Sequence, residues 1–280
     1  MIIGLYYEKA YLYNLKKREF SNLLPSSDND YREGFKLDTE FPPINEELLL
    51  MKVNDQFQSI HEILQNLNQV QEITSLLMAN STMIEYAIDF LKNNDTCIMT
   101  QTDSIWSNSS FDKILEINKI QNILIPIKTC GDGNCFYRAI SLLFFRSEDH
   151  FILIKVITLY TIINEKAYFN SGFISTFTQM ILNAKKKNIY ATQHEILAFN
   201  LAIERPIIVF SYDKASNLPY VMKYDVSKEK TDQPLIIAHG EMVFHNNINI
   251  LQNHFVPLFR SEKIISLPEF KDKSQFKKKK

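Results

Sequence analysis

The segment Thr129-Cys130-Gly131-Asp132-Gly133-Asn134-Cys135 places the strongest local constraint on this chain. Only six of the 280 residues are glycine, about 2% against about 7% in average proteins, and two of the six stand two positions apart here. Glycine reaches backbone angles that side chains resist. The chain can therefore turn sharply at Gly131 and Gly133 and point several amide N–H groups into one space. The apolar run that follows, Cys135 to Phe145, reads as a buried helix with Asn134 as its N-cap. A cysteine in the first turn of a helix lies against the positive end of the macrodipole, which favours thiolate over thiol. The amides of Gly131, Gly133 and Asn134 are the candidate donors to an oxyanion formed when Cys135 attacks a carbonyl. The plainer reading of Cys135 is a small buried hydrophobe, the usual fate of a free cysteine. The glycine turn and the cap weigh against it.

Around this turn the chain is organised in order. Residues 1–44 are tyrosine-rich and then polar, closing at Pro42-Pro43. Val53, Phe57, Ile60, Leu64 and Leu67 step by helical spacing, and a second helical stretch runs from Ser81 to Lys92. Residues 45–110 thus read as a helical region, packed on the rest of the chain or available to protein partners. A polar stretch from Asn94 to Ser110 forms a boundary, and Ile120 to Ile127 reads as a buried strand or a short helix feeding one. A helix is expected over Thr176–Lys187. Thr192-Gln193-His194-Glu195 is a capping box opening another, which stops before Pro206. Strands are expected over Ile207–Tyr212, Pro219–Tyr224, Leu235–Ala238 and Phe255–Arg260. Helices followed by a run of strands imply an α/β or α+β architecture.

Composition bounds the function. With 45% hydrophobic and 12% aromatic residues the chain is globular. Lys plus Arg is 31 against 32 Asp plus Glu, which argues against a nucleic-acid footprint over the whole surface. The near-neutral total hides a tail, 268–280, with six lysines after Glu269, and an acidic remainder. Three cysteines (Cys97, Cys130, Cys135) cannot close a disulfide framework, and Met1–Lys9 does not read as a signal peptide. An intracellular protein, cytoplasmic or nuclear, is expected. The most apolar run, Phe151–Ile163, contains Lys155 and is too short to span a bilayer. Cys130 and Cys135 have no second cysteine pair or close histidine pair, so neither a metal nor any other cofactor is expected.

Asp132-Gly133-Asn134-Cys135-Phe136-Tyr137-Arg138-Ala139 resembles the catalytic cysteine motif of the ovarian-tumour (OTU) family of deubiquitinating cysteine proteases. Asn253-His254-Phe255-Val256-Pro257-Leu258 is similar to that family's second motif, a histidine before an aromatic residue, and lies 119 residues from Cys135 to His254. The resemblance covers roughly residues 120–262. It implies a papain-like OTU fold with a central, mostly antiparallel sheet between helices, preceded here by the helical region. It also implies a thiol-dependent deubiquitinase acting on ubiquitin or ubiquitin-like conjugates, with Cys135 as nucleophile and His254 as general base. Asp132 then helps shape the oxyanion loop or simply holds the turn. His239 and His245 compete for the base, since both lie within twenty residues of His254. Many relatives orient the histidine with Asp or Asn two residues later. Val256 stands there and cannot, so Asp103, Asp112 and Asn253 are the candidates. The same departure allows an inactive ubiquitin-binding or scaffolding protein.

Overall fold

Val53, Phe57, Ile60 and Leu64 recur at the spacing of one helix face. In the computed structural model of the protein they are buried along α1 (Glu46–Asn66). The structure describes residues 46–96, 109–121, 124–170, 176–213, 218–226, 233–242 and 252–260. The 1–44 segment, Asp103, His245 and the lysine tail lie outside the described residues. After α1 come α2 (Val70–Ala79), α3 (Ser81–Asn93) and α4 (Ser109–Ile117). Next are β1 (Leu124–Pro126), α5 (Cys135–Phe145), α6 (Phe151–Asn164), α7 (Lys166–Asn170), α8 (Phe177–Ala184) and α9 (Gln193–Ile203). Four strands follow: β2 (Ile207–Asp213), β3 (Leu218–Tyr224), β4 (Leu235–Met242) and β5 (Gln252–Arg260).

α6 is the centre of the helical layer. Every residue from Ile152 to Ile163 is buried, and α1, α3, α5 and α9 pack around it. A helix apolar on all sides is stable only when so surrounded, and this is where α1 and α3 place their buried faces. Each fully buried Leu, Ile or Phe contributes about 1.5–3 kcal/mol. None of the described helices is long and apolar enough to cross a membrane.

The sheet order is β1-β5-β4-β2-β3, with one parallel pair, β2–β4, among antiparallel neighbours. Helices cover both faces. Phe136 of α5 meets Phe255 on one face at 5.7 Å between ring centroids. On the other, Phe111, Ile114 and Leu115 of α4 join Ala238, Val256 and Leu258 in one core cluster. This is the expected α/β architecture with a mostly antiparallel sheet between helices. The capping box at Thr192 is formed, with Glu195 accepting the Thr192 N–H at 2.7 Å.

Two helices depart from the sequence reading. α2 falls inside the region read as helical but was not singled out as a helix, and α4 begins inside the stretch read as a polar boundary. Among its described side chains α4 has three buried positions, and what secures them is tertiary. A Cβ on Gly240 of β4 would lie 2.9 Å from the Ile114 side chain, so this glycine lets α4 settle onto the sheet.

Candidate active site

The turn before α5 is a dense polar knot. Gly133 has φ +84°, and a Cβ there would lie 2.4 Å from the Asn188 backbone, so only glycine fits. Asp132 accepts the Asn134 N–H at 2.9 Å and takes Arg138 through Nη2 at 2.7 Å and Nε at 3.2 Å. Burial pushes the Asp132 carboxyl up, but the Arg138 and Asn134 hydrogen bonds outweigh it and hold its pKa below the usual value. Arg138 also reaches Glu148 at 3.3 Å and stacks on Phe151, 4.0 Å from its centroid. Glu148 in turn accepts the Cys130 N–H at 3.0 Å. Asp132 therefore holds the turn as an ion-paired carboxylate rather than acting as an acid.

Asn134 corrects two expectations. It occupies the N-cap position but makes no side-chain cap. Its Nδ2 donates to Asp132 at 3.2 Å and Asn188 at 3.1 Å, while its Oδ1 accepts from Lys155 Nζ at 2.9 Å. Its N–H, expected to face an oxyanion, is turned to Asp132 instead. Gly131 lies half-buried at the start of the same turn.

Cys135 begins α5 and is fully buried. Burial pushes its thiol up to about 11, and the Asp132 charge adds to this. The backbone N–H groups of Phe255, Phe136 and Cys135 itself pull the other way. The expected thiolate is thus a neutral thiol. The helix-start amides do favour charge on the sulfur, but desolvation exceeds them. The Phe255 N–H belongs to the peptide joining His254 to Phe255, so the sulfur lies against the residue pair of the histidine motif.

His254 is 1% exposed. Its strand starts three residues earlier than expected, at Gln252, so His254 stands within the ladder opposite Gly240. Its ring meets Phe111 edge-on at 6.2 Å. Nε2 lies 3.0 Å from Thr129 Oγ1, which donates its single proton to the Phe255 carbonyl at 2.6 Å. With that proton so placed, the hydroxyl accepts from Nε2–H. Burial brings the imidazole down to about 4. A backbone hydrogen bond with Thr129 and the Asp132 charge oppose this, and His239 adds to it.

Thr129 is thus a hydrogen-bond partner of the His254 ring, one that sequence reasoning missed although it lies in the opening segment. Asp112 is exposed on α4 and is not the partner. Asn253 pairs with Glu241, at an opposite-face position of β5. Val256 lies in the α4-facing core, because residues 254 and 256 share a strand face. His239 is on the other face, stacked on Phe255 at 4.5 Å. Lys155 was also missed as a site residue. Its signal was one lysine within an apolar run, which needs buried partners if the run is helical. Among the described residues no group of three His, Cys, Asp or Glu is arranged to hold a metal.

Residues 126–214 match the family described as "Vertnin, OTU domain". That segment is similar to an OTU domain. The matched segment contains the glycine turn and α5 through β2; His254 lies beyond it. Several solved OTU structures are similar to the chain. The OTU domain of OTUD1 is 18% identical, covering 54% of this chain and 94% of that one, with a TM-score of 0.43. The viral OTU domain protease from Dera Ghazi Khan virus is 19% identical, with coverages of 52% and 85% and a TM-score of 0.39. The Hazara virus OTU bound to ubiquitin is 14% identical, with coverages of 62% and 99% and a TM-score of 0.37. None of the curated proteins matches the chain in sequence.

Proposed function

We propose that the OTU domain is a thiol-dependent hydrolase of isopeptide bonds to ubiquitin or a ubiquitin-like modifier. The similarity of residues 126–214 to an OTU domain supports the ubiquitin-directed part of this reading. The observation that carries the chemistry is the convergence at one residue, Phe255. The Cys135 sulfur accepts the Phe255 N–H, the Phe255 carbonyl accepts from Thr129, and Thr129 accepts from His254. In the reaction, His254 takes the Cys135 proton as the sulfur attacks the carbonyl of the modifier's C-terminal residue. The imidazolium then protonates the leaving lysine amine, and a thioester remains. Water, deprotonated by His254, cleaves the thioester and frees the modifier. Thr129 is a positioning residue that keeps Nε2 engaged. Since Cys135 is buried, entry of the modifier's tail must also uncover the sulfur. Solvation then releases the pull of the three N–H groups toward thiolate.

A ubiquitin probe bearing a C-terminal electrophile tests this directly. Wild type should be labelled, and Cys135→Ala and His254→Ala should not. Absence of labelling of wild type by ubiquitin and by ubiquitin-like probes overturns the reading. A second reading, a ubiquitin-binding module without turnover, is favoured by the buried neutral thiol and imidazole. It requires measurable ubiquitin affinity in a wild-type protein that no probe labels.

A further inference from the structure

The segment between α8 and α9 has no part in the chemistry above, yet it is seated directly on the nucleophile turn. The Asn188 backbone fills the space where a Gly133 side chain would be, and Asn188 Oδ1 accepts from Asn134 at 3.1 Å. Two other elements hold the segment in place. From α6, the buried Lys155 Nζ donates both to Asn134 Oδ1 at 2.9 Å and to the Lys186 carbonyl. From α1, Gln65 closes a two-point clamp on the segment's backbone. Its Nε2 donates to the Lys185 carbonyl, and its Oε1 accepts the Lys187 N–H at 3.2 Å. The buried Lys185 Nζ returns to the Leu64 carbonyl at 3.2 Å and the Gln65 carbonyl at 3.4 Å, satisfying the end of α1. His61, also buried, lies 3.1 Å from Gln65 Nε2 and accepts from it as a neutral ring.

We infer that residues 185–188 form a brace that sets the nucleophile turn, with Lys155 and Gln65 acting through it as positioning residues. α1 is then part of the catalytic apparatus. The inference deepens the thiol-hydrolase reading and rests on it. Without the Lys155 amine, Asn134 Oδ1 and the Lys186 carbonyl lose a buried donor, which a protein interior tolerates poorly. Without Gln65, the backbone at Lys185 and Lys187 loses its tie to α1. Either change frees the segment to shift, and Gly133, Asn134 and the first turn of α5 shift with it. Displacement of a reacting group by about 1 Å costs up to about 100-fold in rate while leaving remote binding surfaces intact.

The test uses the full chain with Lys155→Met, Gln65→Leu and the double variant; Ile63→Ala, on the exposed side of α1, is the control. Lys155→Met preserves side-chain length, and Gln65 is only half-buried, so Gln65→Leu carries the test if the first variant fails to fold. With ubiquitin bearing a C-terminal fluorogenic amide, kcat should fall about 10- to 100-fold and KM should stay within about twofold. The double variant should be no worse than the weaker single, since both act through one segment. Iodoacetamide alkylation of Cys135, resolved by peptide mass spectrometry, should rise about tenfold as the packing over the sulfur loosens. Alkylation of the exposed Cys130 should not change. A loss confined to KM, additive losses, or unchanged Cys135 alkylation in both variants overturns the brace. If wild type shows no turnover, the hydrolase reading fails, and the alkylation result alone decides the brace.

Discussion

Iodoacetamide should modify Cys135 of the unliganded protein far more slowly than an ordinary thiol at neutral pH. Burial raises its pKa from 9.0 to about 11. Well below both values, that shift reduces the thiolate fraction about 100-fold, equivalent to about 2.7 kcal/mol. The sulfur belongs to a residue with no exposed surface, so steric exclusion slows the reaction further, and 100-fold is a lower bound. Cys130 is exposed in the same chain and serves as the reference. Alkylation of each cysteine would be followed by peptide mass spectrometry from pH 6 to pH 10. The Cys135 rate should keep climbing across the whole range. A plateau below pH 8, or Cys135 reacting faster than Cys130 near pH 6.5, would refute the neutral resting thiol. Either result would mean that the three N–H groups outweigh desolvation.

Gly133→Ala combines a left-handed backbone angle with a contact of 2.4 Å to the Asn188 backbone. It should cost about 3–4 kcal/mol in a urea titration; a loss under 1 kcal/mol would mean that residues 185–188 are not seated there. Thr129→Val removes the acceptor for His254 Nε2–H at constant shape and should lower kcat about tenfold or more, with Thr129→Ser recovering most of it. Equal activity in Val and Ser variants would show that the hydroxyl does not position the ring. Burial holds His61 and His254 at about 4 against 6.5. The folded rings stay neutral while the unfolded chain takes up protons, so the stability present above pH 6.5 is lost as pH falls through 4. At pH 4.5 the loss is about 2–3 kcal/mol per ring. His61→Gln should reduce the pH 7-to-4.5 drop in unfolding free energy by that amount, and an undiminished drop would place the His61 ring in solvent.

Elements whose signal is local could be read from the chain. α5 starts at Cys135 and ends at Phe145 as expected, because a glycine turn and a continuous apolar run are properties of adjacent residues. The Thr192 capping box is likewise a four-residue pattern. Harder to read were α2, with two buried side chains in ten residues, and α4, whose buried face forms only against the sheet at Ala238, Val256 and Gly240. The site divides the same way. Cys135 and His254 were singled out by motif, whereas Thr129 was not, because a threonine in a strand-end segment is unremarkable until a histidine 125 residues away reaches it. The orienting residue was sought among carboxylates and amides. Strand alternation gave position 256 to the core, and β1's continuation past β5 brought a hydroxyl to the ring instead.

By itself, the sequence determined the turn, the helix start and the order of nucleophile and histidine, since each depends on near neighbours or on spacing along the chain. Only the tertiary structure decided the charge state of the site. The helix start favours a thiolate, but a pKa responds to the whole surroundings, and packing Phe255, Phe136 and the sheet around the sulfur removes the water that would stabilise it. It also decided what Lys155 is for. In the sequence it is one charge in an apolar run; folded, it is a buried amine whose acceptors come from two loops that meet only when α6 is enclosed.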